Sequence, residues 1–225
     1  MAGLQVHTAE TAYAVTQAEI KAWCKIDSSD DDTVVALIER TVHDWAKEYT
    51  KRSLTTVTYN LFIDAIDDAD IPIQEGMYVG IDRDIYRRSV LLPKSPVASV
   101  THIKYYNDAD EATTFASSEY FLDNASIPAK IVLRNGSTWP TGLRVANALE
   151  IKYVAGYGAT TAVPYAIKSA CLEYASYIFE HRGDLMSGSR VLAPTSATQL
   201  LDPYVVRNIS VHPYRGFAHY GGMFG

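Results

Sequence analysis

The stretch from Leu149 to Gly183, LEIKYVAGYGATTAVPYAIKSACLEYASYIFEHRG, constrains the fold more than any other. It reads as a strand, a glycine turn, and an amphipathic helix opened by proline and stopped by glycine. Gly156 and Gly158 permit a turn that a β-carbon would resist. Pro164 suits a first helical turn. Ile167, Ala170, Cys171, Tyr174, Ala175 and Ile178 recur at helical spacing and form one apolar stripe. His181 and Arg182 sit in the last turn, and Gly183 is the natural residue after a helix. No residue in the segment reads as an active-site group. Its content is architectural.

The rest of the chain adds helices at both ends and strands between. Thr16 to Lys25 reads as a short helix, with Glu19 three residues after Thr16 in a capping-box spacing and Ile20, Trp23 and Cys24 on one face. After the polar DSSDDD, Ser29 is the expected cap of a second helix, and Asp30, Asp31 and Asp32 favour its positive end. Its apolar stripe is Val34, Leu37, Ile38, Val42, Trp45 and Tyr49, and it ends near Lys51-Arg52. The period then changes from helical to alternating. Thr55 to Phe62, part of Ser89 to Tyr106, Tyr120 to Leu122, Lys130 to Leu133 and Ala148 to Val154 read as strands, with Asn135-Gly136 a turn. Asp64 to Arg88 is an acidic surface excursion with room for one hairpin. A short helix is expected near Ala197 to Leu201, ended by Pro203.

The expected class is α+β. A helical bundle from residues 1–54 and 156–203 carries an inserted antiparallel, meandering β-rich unit at 55–155, and an extended tail follows at 204–225. The 225 residues have an ordinary globular balance, 48% hydrophobic and 20% charged, enough to bury a core. No run is long and apolar enough for a membrane span, and the first residues lack a signal-peptide pattern. Cys24 and Cys171 read as buried thiols, with a disulfide left open. The net charge of −6 and the lack of a basic block argue against sequence-reading nucleic-acid binding. The sixteen tyrosines suit half-buried strand positions or wet subunit contacts.

Catalytic and metal chemistry finds little footing. Counted as a calcium loop from Asp64, the acidic run puts Asp68, Asp70 and Glu75 at ligand positions but lacks the turn glycine. Gly156-Tyr157-Gly158 has Thr161 where a dinucleotide fingerprint needs glycine. The histidines His7, His43, His102, His181, His212 and His219 have no ligand spacing and read as surface residues. Arg182-Gly183-Asp184 spells an adhesion tripeptide that helix capping explains. No catalytic residue, cofactor or metal is therefore expected.

The tail is the one segment that a self-contained domain does not explain. Tyr204, Tyr214, Phe217, Tyr220 and Phe224 are spaced among glycines, with Arg207 and Arg215 between them. Ordering roughly 20 residues costs about 1–2 kcal/mol each in backbone entropy. Burying those aromatics returns about 2–3 kcal/mol each, too little by itself. Backbone hydrogen bonds or a partner's pre-formed groove would close the gap, so the expectation is a docking arm made of these seven residues, with a frayed terminus as the alternative.

The order and spacing of several pieces, from Thr16 to Tyr204, carry a resemblance. They are TQAEIKAWCKID, the acidic DDD before a helix, AKEYTKRSL, LLPKSPVASVTHIKYY, SSEYFLD with PAKIVL, the lone Trp139-Pro140, ALEIKYVAGYG, VPYAIKSACLEYASYIFEHRG and LLDPY. Together they resemble the head–tail connector (adaptor) proteins of tailed phages, a group that also occurs in gene transfer agents. The resemblance implies a non-enzymatic virion protein, assembled in the host cytoplasm and placed at the head–tail junction. It implies a ring of twelve copies seated beneath the portal protein, extending the DNA channel and receiving the next neck or tail protein. It also implies docking to the portal through a C-terminal segment. A net acidic chain suits a lumen that lets double-stranded DNA slide without binding it. Another neck component, a stopper or tail terminator, is the nearest alternative. A soluble enzyme with a scattered active site and a glycan- or protein-binding β module are the alternatives from other classes.

Overall fold

The structure, a computed structural model, describes residues 2–64, 88–181 and 193–206. Its elements in chain order are β1 (Ala2–Thr8), α1 (Gln17–Cys24), α2 (Asp32–Thr50), β2 (Val57–Ile63), β3 (Ser89–Leu92), β4 (Val97–Tyr106), β5 (Ala112–Phe115), β6 (Tyr120–Asp123), β7 (Ala129–Leu133), β8 (Leu149–Ala155), α3 (Tyr165–Glu180) and α4 (Thr195–Leu201). Helices from both ends of the chain pack together, and the strands form a second unit between them. The fold is α+β, as expected.

Two apolar clusters divide the molecule. The β cluster lies between a five-stranded sheet of order β1-β2-β8-β4-β5 and a three-stranded sheet of order β3-β7-β6. All described pairings between strands are antiparallel. Strict alternation drives this. In β2, Val57, Tyr59, Leu61 and Ile63 point inward, and in β8 Leu149, Ile151, Tyr153 and Ala155 do the same. The register sets Tyr59 opposite Tyr153 and Leu61 opposite Ile151. The two tyrosine rings stack at 5.7 Å, and burial raises the pKa of both hydroxyls. Val90, Leu92, Ile131 and Leu133 close the cluster from the smaller sheet. Each fully buried aliphatic side chain contributes about 1.5–3 kcal/mol.

The strand order corrects the expected meander. β8 inserts between β2 and β4, so neighbours in the sheet are remote in the chain. Strands β1, β3 and β5 carry no strong alternation signal and were not expected; the strand expected within Ser89 to Tyr106, with Val97, Val100 and Tyr105, is β4. β1 brings the first residues into the sheet rather than into the helical unit.

The helical cluster joins Ile20 of α1, Val35, Ile38, Val42 and Ala46 of α2, Ile167, Ala170, Cys171 and Ala175 of α3, and Ala197 and Leu201 of α4. The capping box of α1 forms as the spacing predicts: Thr16 accepts from the Glu19 N–H, and the Glu19 carboxylate accepts from the Thr16 N–H. Lys168 of α3 pairs with the same Glu19, tying the two helices. Three expectations shift. Trp23 is 51% exposed while Ile20 is buried, because α1 is only eight residues long and turns one narrow stripe inward. α2 is preceded by Asp31, which makes no side-chain cap, rather than by Ser29. Leu37 is 66% exposed. The buried face of α2 runs through Val35, Ile38, Glu39, Val42, His43, Ala46 and Thr50, rotated from the apolar stripe because polar residues join it.

Residues 149–181 form the strand, turn and helix that the spacing predicts. Pro164 is the residue just before α3, with extended ψ, rather than inside its first turn. Gly156 has φ +116°, and a β-carbon there would lie 2.0 Å from the Thr55 carbonyl oxygen. Its N–H donates to the Pro96 carbonyl at 2.8 Å, and the Gly158 carbonyl accepts from Thr56 N–H at 3.1 Å. This turn therefore locks the end of β8 to the entries of β2 and β4. His181 caps α3 by stacking on Tyr177 at 4.3 Å. Arg182 and Gly183 lie outside the described residues.

Candidate docking site at the root of the C-terminal segment

The last described residues are held against the end of α2. Thr50 Oγ1 donates to the Ala46 carbonyl at 2.7 Å, and Lys51 then turns the chain with φ 59°. That reversal buries Arg52, which is only 7% exposed. Its Nε donates to the main-chain carbonyl of Tyr204 at 2.5 Å. The Val206 N–H donates to the Thr50 carbonyl at 3.0 Å, satisfying a group that the helix end leaves open. The Tyr49 hydroxyl donates to Asp202 Oδ1 at 2.7 Å. Leu201, fully buried, anchors the segment from the other side.

The surroundings of Arg52 are polar and cationic. Its backbone bridges to Lys94, and Lys94 and Lys51 both pair with Glu48 at 3.3 Å. Burial opposes ionisation of Glu48, but Lys94 leads the charges that overcome it and lower its pKa. The Tyr157 hydroxyl lies by the Arg52 guanidinium; burial raises its pKa and Arg52 counteracts. The arrangement is a clamp. It holds residues 202–206 against the end of α2.

Of the seven residues expected to form the arm, Tyr204 is placed here, half-buried against the helical cluster. Arg207, Tyr214, Arg215, Phe217, Tyr220 and Phe224 lie outside the described residues. The clamp itself was missed in the sequence. Arg52 reads as an ordinary helix-end cation, and nothing local pairs Tyr49 with Asp202 or Arg52 with Tyr204, 152 residues away.

A second polar cluster joins the segment after β1 to α2. Lys47 binds the Glu10 carboxylate, which also faces His43 Nε2 at 3.5 Å. His43 Nδ1 accepts from the Ala14 N–H at 3.0 Å, so the other ring nitrogen carries the hydrogen turned toward Glu10. The bond from His43, aided by Lys47, holds the Glu10 carboxyl far below its ordinary range against the opposing effect of burial. Glu10, His43 and Asp44 offer ligand atoms within 4.8 Å of one another, but the Lys47 ammonium already supplies the cation, 3.8 Å from Asp44. The geometry fits a structural pin. His43 is 1% exposed, which corrects the surface reading; Tyr13 packs edge-on against its ring at 5.3 Å. Asp64 accepts from the Asn147 N–H, and Asp68, Asp70 and Glu75 lie outside the described residues.

Cys24 and Cys171 are free thiols, and burial lifts Cys171 to about 12, where it is inert. No described helix is long and apolar enough to cross a membrane.

These features define a class: an α+β protein with a helical cluster closed by both chain ends, a two-sheet β unit, and a C-terminal segment clamped at the surface. No protein-family profile matches the sequence, and no curated protein matches it significantly. The fold does match solved structures of gene transfer agent (GTA) particles. A chain from the neck of an empty GTA particle, computed with C6 symmetry, superposes with a TM-score of 0.69 at 18% identity, covering 93% of this chain and 98% of that one. A chain from the virion of the native GTA particle gives 0.68 at 19% identity, with the same coverage of both chains. A chain from the native GTA neck, computed with C12 symmetry, gives 0.65 at 20% identity, again covering 93% and 98%. The protein thus has the fold of GTA neck chains over nearly its whole length.

Proposed function

We propose that this protein is a structural component of a virion-like particle, a head–tail adaptor that forms a ring beneath the portal. Nearly full-length agreement with GTA neck chains, in both directions of coverage, carries the reading. Partial domain sharing would leave part of one chain unmatched. In this role subunits associate side by side, and the opening extends the DNA channel. The C-terminal arm, rooted at Arg52, grips the portal, and the opposite face receives the next neck or tail protein. A ring adds avidity, because each docked arm raises the effective concentration of the next. The work is assembly, not catalysis.

The test is co-sedimentation of the purified chain with purified portal, with and without residues 207–225, together with negative-stain imaging. Rings that bind portal only when the arm is present support the reading. A monomer that ignores the portal, or turnover on a broad hydrolase panel, overturns it.

A further inference from the structure

Both edges of the five-stranded sheet are unusual. β1 is an outermost strand of seven residues, AGLQVHT, with no proline and no formally charged residue. Proteins ordinarily protect such an edge with charge, proline, a bulge or a cover; β1 has one bulge, between Val6 and Thr8, and Ala2 to Val6 stay in regular register with β2. Here Val6 is 55% exposed. At the other side, β5 is too short to cover its neighbour. It pairs only with Ile103–Tyr106 of the ten-residue β4. Among the described residues, nothing pairs with residues 98–102 of β4 on that side, although the register of this stretch against β8 shifts between Val97 and Ser99 and again between Val100 and His102. Ala98, Ser99 and Thr101 are exposed, whereas no residue of the inner strands β2 and β8 is.

We propose that β1 of one copy pairs with the open stretch of β4 in the next copy, so that the sheet continues across each subunit boundary. The inference rests on the ring reading above and names the contact that builds the ring. Strand directions agree with it. Successive antiparallel pairs make β1, β8 and β5 run one way and β2 and β4 the other. When strands run along the ring axis, rotation about that axis preserves direction. An incoming β1 therefore arrives antiparallel to β4 and in line with β5. Length agrees as well: the five residues Ala2 to Val6, ahead of the β1 bulge, meet the five residues 98–102 before the β5 pairing begins. Charge agrees too, since neither β1 nor residues 98–101 carries a formal charge that pairing would strip of water. The two surfaces differ, so the contact is heterologous, and a rotation that closes gives a ring rather than a dimer. Main-chain bonds supply the affinity, as in other strand additions.

Cross-linking tests the contact in the full chain carrying Cys24→Ser. Gln5→Cys is combined in turn with Ala98→Cys, Ser99→Cys and Thr101→Cys, so that every close register is sampled. Each sample receives a short bis-thiol reagent, and sedimentation velocity on the same sample, with and without purified portal, reports assembly. At least one double variant is expected to give a ladder of multimers on denaturing gels, and no single variant should. Assembled rings without a ladder overturn the edge contact and leave the ring standing. Dimers from Gln5→Cys alone overturn it in favour of β1 pairing with itself. Failure to assemble at all, even with portal present, overturns the ring reading and this contact with it.

Discussion

The Arg52 guanidinium donates from Nε to the main-chain carbonyl of Tyr204, joining the end of α2 to the last described turn of the chain. Losing the Tyr204 segment would leave a buried charge without its acceptor, whereas losing Arg52 leaves a neutral carbonyl without its donor. Arg52→Ala removes both the charge and its bond to Tyr204. The expected loss is about 1.5–3 kcal/mol, the range for a hydrogen bond to a charged group. Urea unfolding measures it. Lysine should restore little, because it lacks the fork that reaches both Tyr204 and Tyr157.

Truncation separates the clamp from the arm. Removing residues 207–225 keeps Tyr204 and Val206 in place, so the melting temperature should stay unchanged while portal binding is lost. Removing residues 202–225 also deletes the partners of Tyr49, Arg52 and Thr50. That chain should melt lower. Differential scanning calorimetry distinguishes the two.

The two turn glycines should respond unequally to alanine. Both have positive φ, a conformation costing about 1–3 kcal/mol for most other residues. Gly158 has room, with the nearest atom 3.6 Å from a new β-carbon. At Gly156 that carbon would strike the Thr55 main chain at 2.0 Å. Gly158→Ala should fold with a modest loss, and Gly156→Ala should lose clearly more, read from denaturant midpoints.

Acid should weaken the pin at Glu10. Its folded pKa lies far below the ordinary 4.5, first through His43 and then through Lys47. Below about pH 4.5 the unfolded chain binds a proton that the native chain refuses, so this contribution is complete above that pH and fades as pH falls further. Stability measured from pH 7 down to pH 2 should decline along this limb. In Glu10→Gln the decline should be shallower, and stability at pH 7 lower, because Lys47 loses its partner.

Neighbouring positions on α2 should behave oppositely. Ile38 is buried, and Ile38→Ala is expected to cost about 2–5 kcal/mol. Leu37 is mostly exposed, and Leu37→Ser should fall within about 0.5 kcal/mol of the parent. Urea midpoints of the pair check the rotated face of the helix.

Local signals in the sequence were enough for the elements they dominate. Thr16 and Glu19 spell a capping box that forms. Val57, Tyr59 and Leu61 alternate and face inward. Gly156 and Gly158 turn, and Ile167, Cys171 and Ala175 line the buried side of α3. Each rests on spacing within a few residues, and the backbone's periodicity turns that spacing into a face. The rotation of α2 was not legible, because buried Glu39 and His43 read as polar until Gln17 and Glu10 are seen beside them. Nor was β1, whose place depends on an edge that β2 provides.

What the sequence alone determined was the class: an α+β fold with helices toward both ends and antiparallel strands between. What the tertiary structure decided was which distant segments meet. It put β8 between β2 and β4, drew Tyr204 onto Arg52, and, among the described residues, left 98–102 of β4 and the outer side of β1 without a strand partner. Each of these contacts has a main-chain group on at least one side, and every residue carries the same main-chain groups. Only the path of the chain selects their partners.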